Sequence, residues 1–392
     1  MIYVPFWFLR LEGKNRDVTV MMVLMGGGNV VLDVLLMYVL DMGVAGAALA
    51  SVIATAAAAV YGLIRMHTGK SNFSFRMKIH ADAKTWRRIA GAGSPAALNN
   101  VFQCLRLITV NGFLYLYGGS LAVAAFTAVN GIAAFAEAVT VGVPQAGSAM
   151  LGVYHGERDN GSTKILLKME WRFGVMGCIV FGVLIAAGSE LIRSMYGLSG
   201  ISLTFPLVCL GISLVPGLWN SMMSGFYNVT GYSALANLII VCRVYLVSAA
   251  AIWFLGRVGF SIWLFLPLGE LATVIVWVLA TGLVHKKKTE TTRFLLMDTT
   301  LQRSGRVLNF SVPGNTEEIC SACERISDFC AENGMSPKLY MKISLSMEEL
   351  MTLLINDNPE KDMVFDLRVF SLQGTTGIRI RYGGKLFDPV HE

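Results

Sequence analysis

The stretch Tyr117–Asp159, "YGGSLAVAAFTAVNGIAAFAEAVTVGVPQAGSAMLGVYHGERD", decides how the chain is read. It opens on a glycine pair, runs from Leu121 to Val143 with a single charge, Glu137, meets Pro144, and closes on the polar cluster Glu157-Arg158-Asp159. A turn, an apolar run of about 20 residues and a charged turn form the repeating unit of a polytopic membrane protein, because that length crosses some 30 Å of hydrocarbon.

The rest of the chain repeats the unit. Apolar runs recur at Val18–Leu40, Val44–Met66, Pro95–Tyr117, Leu121–Val143, Ile165–Ala187, Leu203–Tyr227, Ala234–Leu255 and Ser261–Val284. Met1–Leu9 is too short to span and lacks the basic start and small-residue cleavage site of a signal peptide; it reads as the exit half of a helix. Composition agrees: of 392 residues 54% are hydrophobic and 15% charged, against about 25% charged in soluble domains, and mean hydropathy is +0.58. Forty Gly and 20 Met suit helices packed closely in lipid. The expected fold is therefore an α-helical integral membrane protein with about eight complete transmembrane helices plus a stub.

Loop charge orients these spans. The link after Tyr61 carries Arg65, Lys70, Arg76, Lys78, Lys84, Arg87 and Arg88, whereas "LDMGVAG" and "YGGS" carry neither Lys nor Arg. Basic loops stay in the cytoplasm, so "RLEGKNRD", "YHGERDNGSTK", "HKKKTETTR" and everything after them are placed inside. The net charge of +6 is thus a topology signal, and no nucleic acid partner is implied. Of the seven cysteines, Cys104, Cys178, Cys209 and Cys242 fall in apolar runs; Cys320 and Cys323 form a C-x-x-C without a second pair or nearby His, which is weak support for a redox or metal site.

Two halves share a rhythm. "FWFLRLEGKNRDVTVMMVLMGGGNVVLDVLL" and "MMSGFYNVTGYSALANLIIVCRVYLVSAAA" each pass from an apolar segment through a short Gly-containing turn into a long apolar helix with a polar residue near its middle. Such weak self-similarity is characteristic of transporter half-repeats. It divides the chain into 1–66, the end of a first bundle; 67–94, a cytoplasmic linker; 95–285, a six-helix second bundle; and 286–392, a soluble tail. On this reading about three and a half helices of the first bundle are absent, so the transporter is N-terminally truncated.

In order, "FLRLEGKNRD", "NVVLDVLL", "MGVAGAALASVIA", "GSPAALNN" and the opening stretch resemble the multidrug and toxic compound extrusion (MATE) transporters from Met1 to about Val284. The resemblance implies two six-helix bundles that exchange cationic or drug-like molecules for H⁺ or Na⁺ across the bilayer. No other cofactor, and no enzymatic activity, is implied. Small residues in "GVAGAALAS" permit close helix crossing. Pro95 fits either a bend within its span or a helix end, while Pro144, with apolar sequence on both sides, predicts a kink.

Charges inside spans are costly and are functional candidates. Asp33, Arg106, Glu137, Arg243 and Glu270 qualify. Asn29 and Asp33, four residues apart, share a helix face and read as packing glue before ion ligands. Asn99, Gln103 and Arg106 form a polar stripe. Glu137 is expected either to pair with Arg106 or Arg243 or to serve as a proton or cation site, and Glu270 to play either part. The chain departs from the family in having no acid in Pro95–Tyr117 or Leu203–Tyr227, where sodium-coupled members carry theirs, and it lacks the first-helix acid of proton-coupled members; the coupling ion stays open.

After about Thr289 the texture becomes that of a small cytoplasmic α+β domain: a strand at "RVLNFSV", helices over Thr316–Asn333 and Ser336–Asn356, and strands "MVFDLRVFS" and "TGIRIRYGG" around a Gln373-Gly374 turn. It resembles the ATP-binding domain of histidine kinases and anti-sigma-factor kinases, in degenerate form. Glu349 keeps the family's carboxylate, but Leu353 replaces its Mg²⁺-binding Asn and Tyr382 its adenine-reading Asp, while Gly384 and the Phe387-Asp388-Pro389 turn remain. The loss of two charged hydrogen bonds, each worth about 1.5–3 kcal/mol, predicts little or no ATP binding. The leading expectation is a MATE-type antiporter with a degenerate tail; the alternative is a membrane-anchored regulatory protein whose tail binds a cytoplasmic protein partner.

Overall fold

The structure is a computed structural model, and it describes residues 3–68, 82–287, 290–301, 305–358, 363–372 and 375–384. The Gln373-Gly374 and Phe387-Asp388-Pro389 turns and residues 69–81 of the expected linker lie outside the described residues. The chain forms two compact units, Met1–Asp82 and Ala83–Glu392.

The first unit holds α1 (Tyr3–Leu11), α2 (Asn15–Asp33), a π-helical turn (Val34–Val39) and α3 (Gly43–Thr68). Residues Gly46, Ala50, Ala54, Ala58 and Gly62 of α3 are all buried and recur every four residues, which puts them on one face. A Cβ on Gly62 would lie 2.7 Å from Met21, and one on Gly46 would lie 2.9 Å from the Leu36 backbone. The small-residue face predicted from "GVAGAALAS" is thus real but narrower, since Gly43 and Ala48 are exposed.

The second unit begins with α4 (Ala83–Thr140), whose helical course is broken at Gly119, with φ 68°. Arg106 and Asn130 lie 24 residues apart, a distance of about 36 Å along a straight helix, yet the Arg106 guanidinium donates to Asn130 Oδ1 at 3.4 Å. The chain therefore doubles back at Gly119, in the left-handed region that glycine adopts without strain. Next come α5 (Gly142–Gly156), α6 (Asn160–Ala187), α7 (Ser189–Met195), α8 (Thr204–Val229), α9 (Ser233–Val241), a π turn (Cys242–Leu246), α10 (Val247–Val258) and α11 (Phe265–Lys287). Seven helical stretches among the described residues are long and apolar enough to cross a membrane, and one of these, Gly93–Gly156, contains the reversal at Gly119. Ile179, Val180, Val183 and Leu184 of α6 remain 54–63% exposed, as expected of side chains whose solvent is lipid.

Three local details bear on the sequence reading. Residues 83–94 of the expected linker are the first turns of α4, where "AKTWRRIA" is made largely of helix formers. Pro95 consequently sits inside α4 rather than at a helix end. The expected kink appears beside Pro144: α4 stops at Thr140, whose carbonyl a proline at 144 cannot bond, and α5 restarts at Gly142.

The tail contains β1 (Arg306–Pro313), α12 (Thr316–Glu332), α13 (Pro337–Asp357), β2 (Val364–Leu372) and β3 (Thr375–Arg381). The sheet is antiparallel in the order β1-β2-β3, with Phe310 opposite Leu367 and Leu367 opposite Ile380. Side-chain alternation sorts its faces. Phe365, Leu367 and Val369 pack on α12 and α13 with Ile326, Met351 and Leu354. Asp366, Arg368, Arg379 and Arg381 point the other way, toward the loop between α5 and α6.

Candidate functional site: a divided polar cavity in the second bundle

Arg106 and Glu137 come from the two arms of α4, Arg243 from the π turn and Glu270 from the start of α11; all four line one cavity of about 80 Å³. Local structure aims them. The π turn at Cys242–Leu246 shifts the helical register, and the Ser248 hydroxyl takes up the Arg243 carbonyl at 3.0 Å. Gly217 on α8 faces this point: a Cβ there would lie 3.4 Å from both the Arg243 guanidinium and the Glu270 carboxylate. The bare backbone leaves room for the pair.

That pair corrects the sequence expectation. Arg243 Nε donates to Glu270 Oε1 at 2.7 Å, so its acidic partner is Glu270 and not Glu137. The remaining valences are filled by residues that sequence reasoning did not single out. Arg243 Nη1 donates to Ser221 Oγ at 2.7 Å, and the fully buried Asn220 donates to Glu270 Oε2 at 2.7 Å while accepting from Trp277 Nε1 at 3.0 Å. Such added bonds offset part of the desolvation cost of a partly buried ion pair. Asn220 and Ser221 could have been found as adjacent polar residues within the apolar run "GLWNSMM".

Glu137 forms no ion pair among the described residues; it is exposed and borders the cavity. Arg106 reaches Asn130, also missed by sequence, while its Nε is buried with no partner among the described residues. Arg243 also borders a second cavity of about 340 Å³, lined by Asn99, Pro95, Pro144, Gln145, Ser148 and Asn228 among others. The Arg243–Glu270 pair thus stands between a small charged chamber and a larger, mostly uncharged one.

The other candidates lie elsewhere. Gln103 is half-buried and lines neither chamber. Asn29 and Asp33 belong to the first unit, where Asn29 Nδ2 donates to Asp33 Oδ2 at 3.2 Å and exchanges longer bonds with Ser51 of α3, the packing role favoured from spacing. Glu170 on α6 was not singled out; it is 7% exposed, and its Oε1 has no partner among the described residues and sits against Gly147, whose missing side chain makes the space. In the tail, Glu349 and Leu353 are exposed on α13, Tyr382 packs on the tail core and Gly384 abuts Asn358. Burial pushes the Cys323 thiol up to about 11, and no group of metal-ligating side chains occurs among the described residues.

The tail docks on the membrane helices through charge. Arg379 and Arg381 both reach Glu157 Oε2, at 2.8 and 2.7 Å. Arg368 bonds Asp159 at 3.2 Å and the Arg158 carbonyl at 3.4 Å. Burial alone would raise the Asp159 pKa, but bonds from the Ser162 amide and hydroxyl and the charges of Arg368 and Arg379 outweigh it and hold the carboxyl below its ordinary value. The segment 290–301 is tied to the same end of the bundle by Asn160 Nδ2 to the Asp298 carbonyl, 2.6 Å, and Tyr227 to the Phe294 carbonyl, 2.5 Å.

No protein-family model matches this chain, nor does any curated protein. Solved structures do. One, described as the outward-facing conformation of a multidrug resistance MATE family transporter of the MOP superfamily, superposes with TM-score 0.65 at 20% identity, covering 74% of this chain and 67% of that one. A MATE crystal structure in complex with MaL6 gives 0.62 at 19% identity over 74% and 67%. A MOP superfamily transporter from Pyrococcus furiosus, reported for the reverse polarity of its binding pocket, gives 0.62 at 20% identity over 73% and 67%. The chain thus spans about two thirds of the length of these relatives, and over that span it has the MATE transporter fold.

Proposed function

We propose that the chain is a MATE-type efflux transporter that exchanges cationic or drug-like molecules for H⁺ or Na⁺, with Glu137 as the coupling residue. The observation that carries this reading is the open carboxylate of Glu137 in a chamber whose other acid, Glu270, is already neutralised by Arg243. Size divides the labour. Drug-sized ligands occupy pockets of about 300–1,000 Å³, which fits the larger chamber of about 340 Å³. The smaller one, about 80 Å³, has room for water or a small ion.

Charge then supplies the coupling. With Glu137 ionised, the two arginines and two glutamates of the small chamber cancel, and a cation entering beside it meets no net repulsion. With Glu137 protonated or bound to Na⁺, the chamber carries one net positive charge and the organic cation is expelled. Protein reconstituted in vesicles with an imposed proton or sodium gradient, and presented with a fluorescent organic cation, tests the reading. Gradient-driven accumulation that disappears in Glu137→Gln, with the protein still monodisperse, supports it; undiminished transport by that variant removes Glu137 from the coupling role.

A further inference from the structure

A third cavity lies apart from both chambers. About 760 Å³ in volume, it runs between α6, α8 and α11 and shares no lining residue with either chamber. Its body is aromatic: Trp171 and Trp219 meet edge to face with centroids 5.0 Å apart, and Trp219 and Trp277 follow at 6.3 Å. Pro216 and Val274 complete the apolar walls, and Phe294 with Leu295, from the segment after α11, closes the end nearest the tail.

Among the described residues, the charges in its lining are Lys164 and Lys168. They are one turn apart on α6, both exposed, and neither has an ion-pair partner among the described residues. An apolar groove with two unneutralised cations at one end rejects an organic cation and accepts an amphiphile with an anionic head. Its flanks indicate where such a molecule comes from. Ile165, Met169 and Leu271 beside it are 49–62% exposed, so the groove opens sideways onto the surface that faces lipid.

We propose that this groove seats an acyl chain of an anionic phospholipid from the tail-side leaflet, its phosphate held between Lys164 and Lys168. The wall is wired to the ion pair of the polar chambers: Trp277 donates to Asn220, and Asn220 to Glu270. The lipid therefore sits against the same hydrogen-bond chain that holds Arg243.

Tryptophan quenching by phospholipids with brominated acyl chains tests this in reconstituted vesicles. Brominated phosphatidylglycerol in a plain phosphatidylcholine background should quench more than brominated phosphatidylcholine in plain phosphatidylglycerol, at equal mole fraction. Two lysines at about fivefold each give an expected preference of about 25-fold for the anionic lipid. The excess should vanish in Lys164→Gln/Lys168→Gln, persist in Lys164→Arg/Lys168→Arg, and drop by at least half in Trp171→Phe/Trp219→Phe. Equal quenching by the two lipids overturns the proposal. So does a preference that survives the glutamine pair, is lost in the arginine pair, or is unchanged by the tryptophan pair.

Discussion

Two arginine–carboxylate clusters hold the second unit together, and they differ in what they leave open. At the tail junction three arginines, Arg368, Arg379 and Arg381, converge on Glu157 and Asp159, with Asp366 alongside, and each acid has at least one partner. Inside the membrane bundle Arg243 and Glu270 are paired, but Glu137 in the same chamber has no ion-pair partner among the described residues. Saturated charges make a joint; the charge held back beside a cavity is the one proposed above as the coupling site. The same residue types therefore carry different meanings, and the difference lies in stoichiometry and access rather than in composition.

The comparison is broken most severely by removing one partner inside the bundle. Glu270→Ala strands Arg243 in a partly buried position and should cost about 3–5 kcal/mol, seen as a large drop in the thermal unfolding temperature of the detergent-solubilised protein. Replacing both partners by apolar residues of similar size, Arg243→Met/Glu270→Leu, should recover most of that stability without restoring transport. At the junction, Arg379→Ala removes bonds to Glu157 and Asp366, each 2.8 Å long. It should cost about 2 kcal/mol and raise amide hydrogen exchange in β2 and β3, with gradient-driven transport through the bundle retained. A junction that proves indispensable for transport would erase the distinction between joint and site.

Acid offers a gentler probe of the joint. The Asp159 carboxyl is held below its ordinary value, so its stabilising contribution is complete above the unfolded value of about 3.9 and is lost as pH falls through the lower folded value. Protection of β2 and β3 amides, taken relative to the intrinsic exchange rate at each pH, should therefore match between pH 7 and pH 5 and fall only below about pH 4. The smallest effect belongs to the polar pair in the first unit. Asn29→Ala breaks bonds of 3.2–3.5 Å at an exposed position and should shift stability by less than about 1 kcal/mol, measured by thermal unfolding.

Much of this was legible beforehand. Apolar runs of about 20 residues located the helices, because a helix satisfies its own backbone inside lipid and needs that length to cross it. Alternation in "VFDLRVFSL" placed β2 with one apolar and one charged face. Arg106, Glu137, Arg243 and Glu270 were visible as charges where charge is expensive, and they do line one chamber. Their pairing was not visible. It depends on the π turn that re-aims Arg243 and on the bare backbone of Gly217, and neither leaves a periodic signal. Asn220 and Ser221 were hidden for a related reason: neutral polar residues are common in membrane helices, and only their neighbours reveal that they complete an ion pair.

The amino-acid sequence by itself determined the membrane class and the order of the elements, since these follow from hydropathy and period counted along the chain. Tertiary structure decided which acid was spent on an arginine, which was left at a cavity wall, and that the tail's charged face meets the Glu157–Asp159 loop rather than solvent. Those outcomes rest on distances between residues far apart in the chain, and Coulomb and hydrogen-bond energies are set by such distances, not by spacing in sequence.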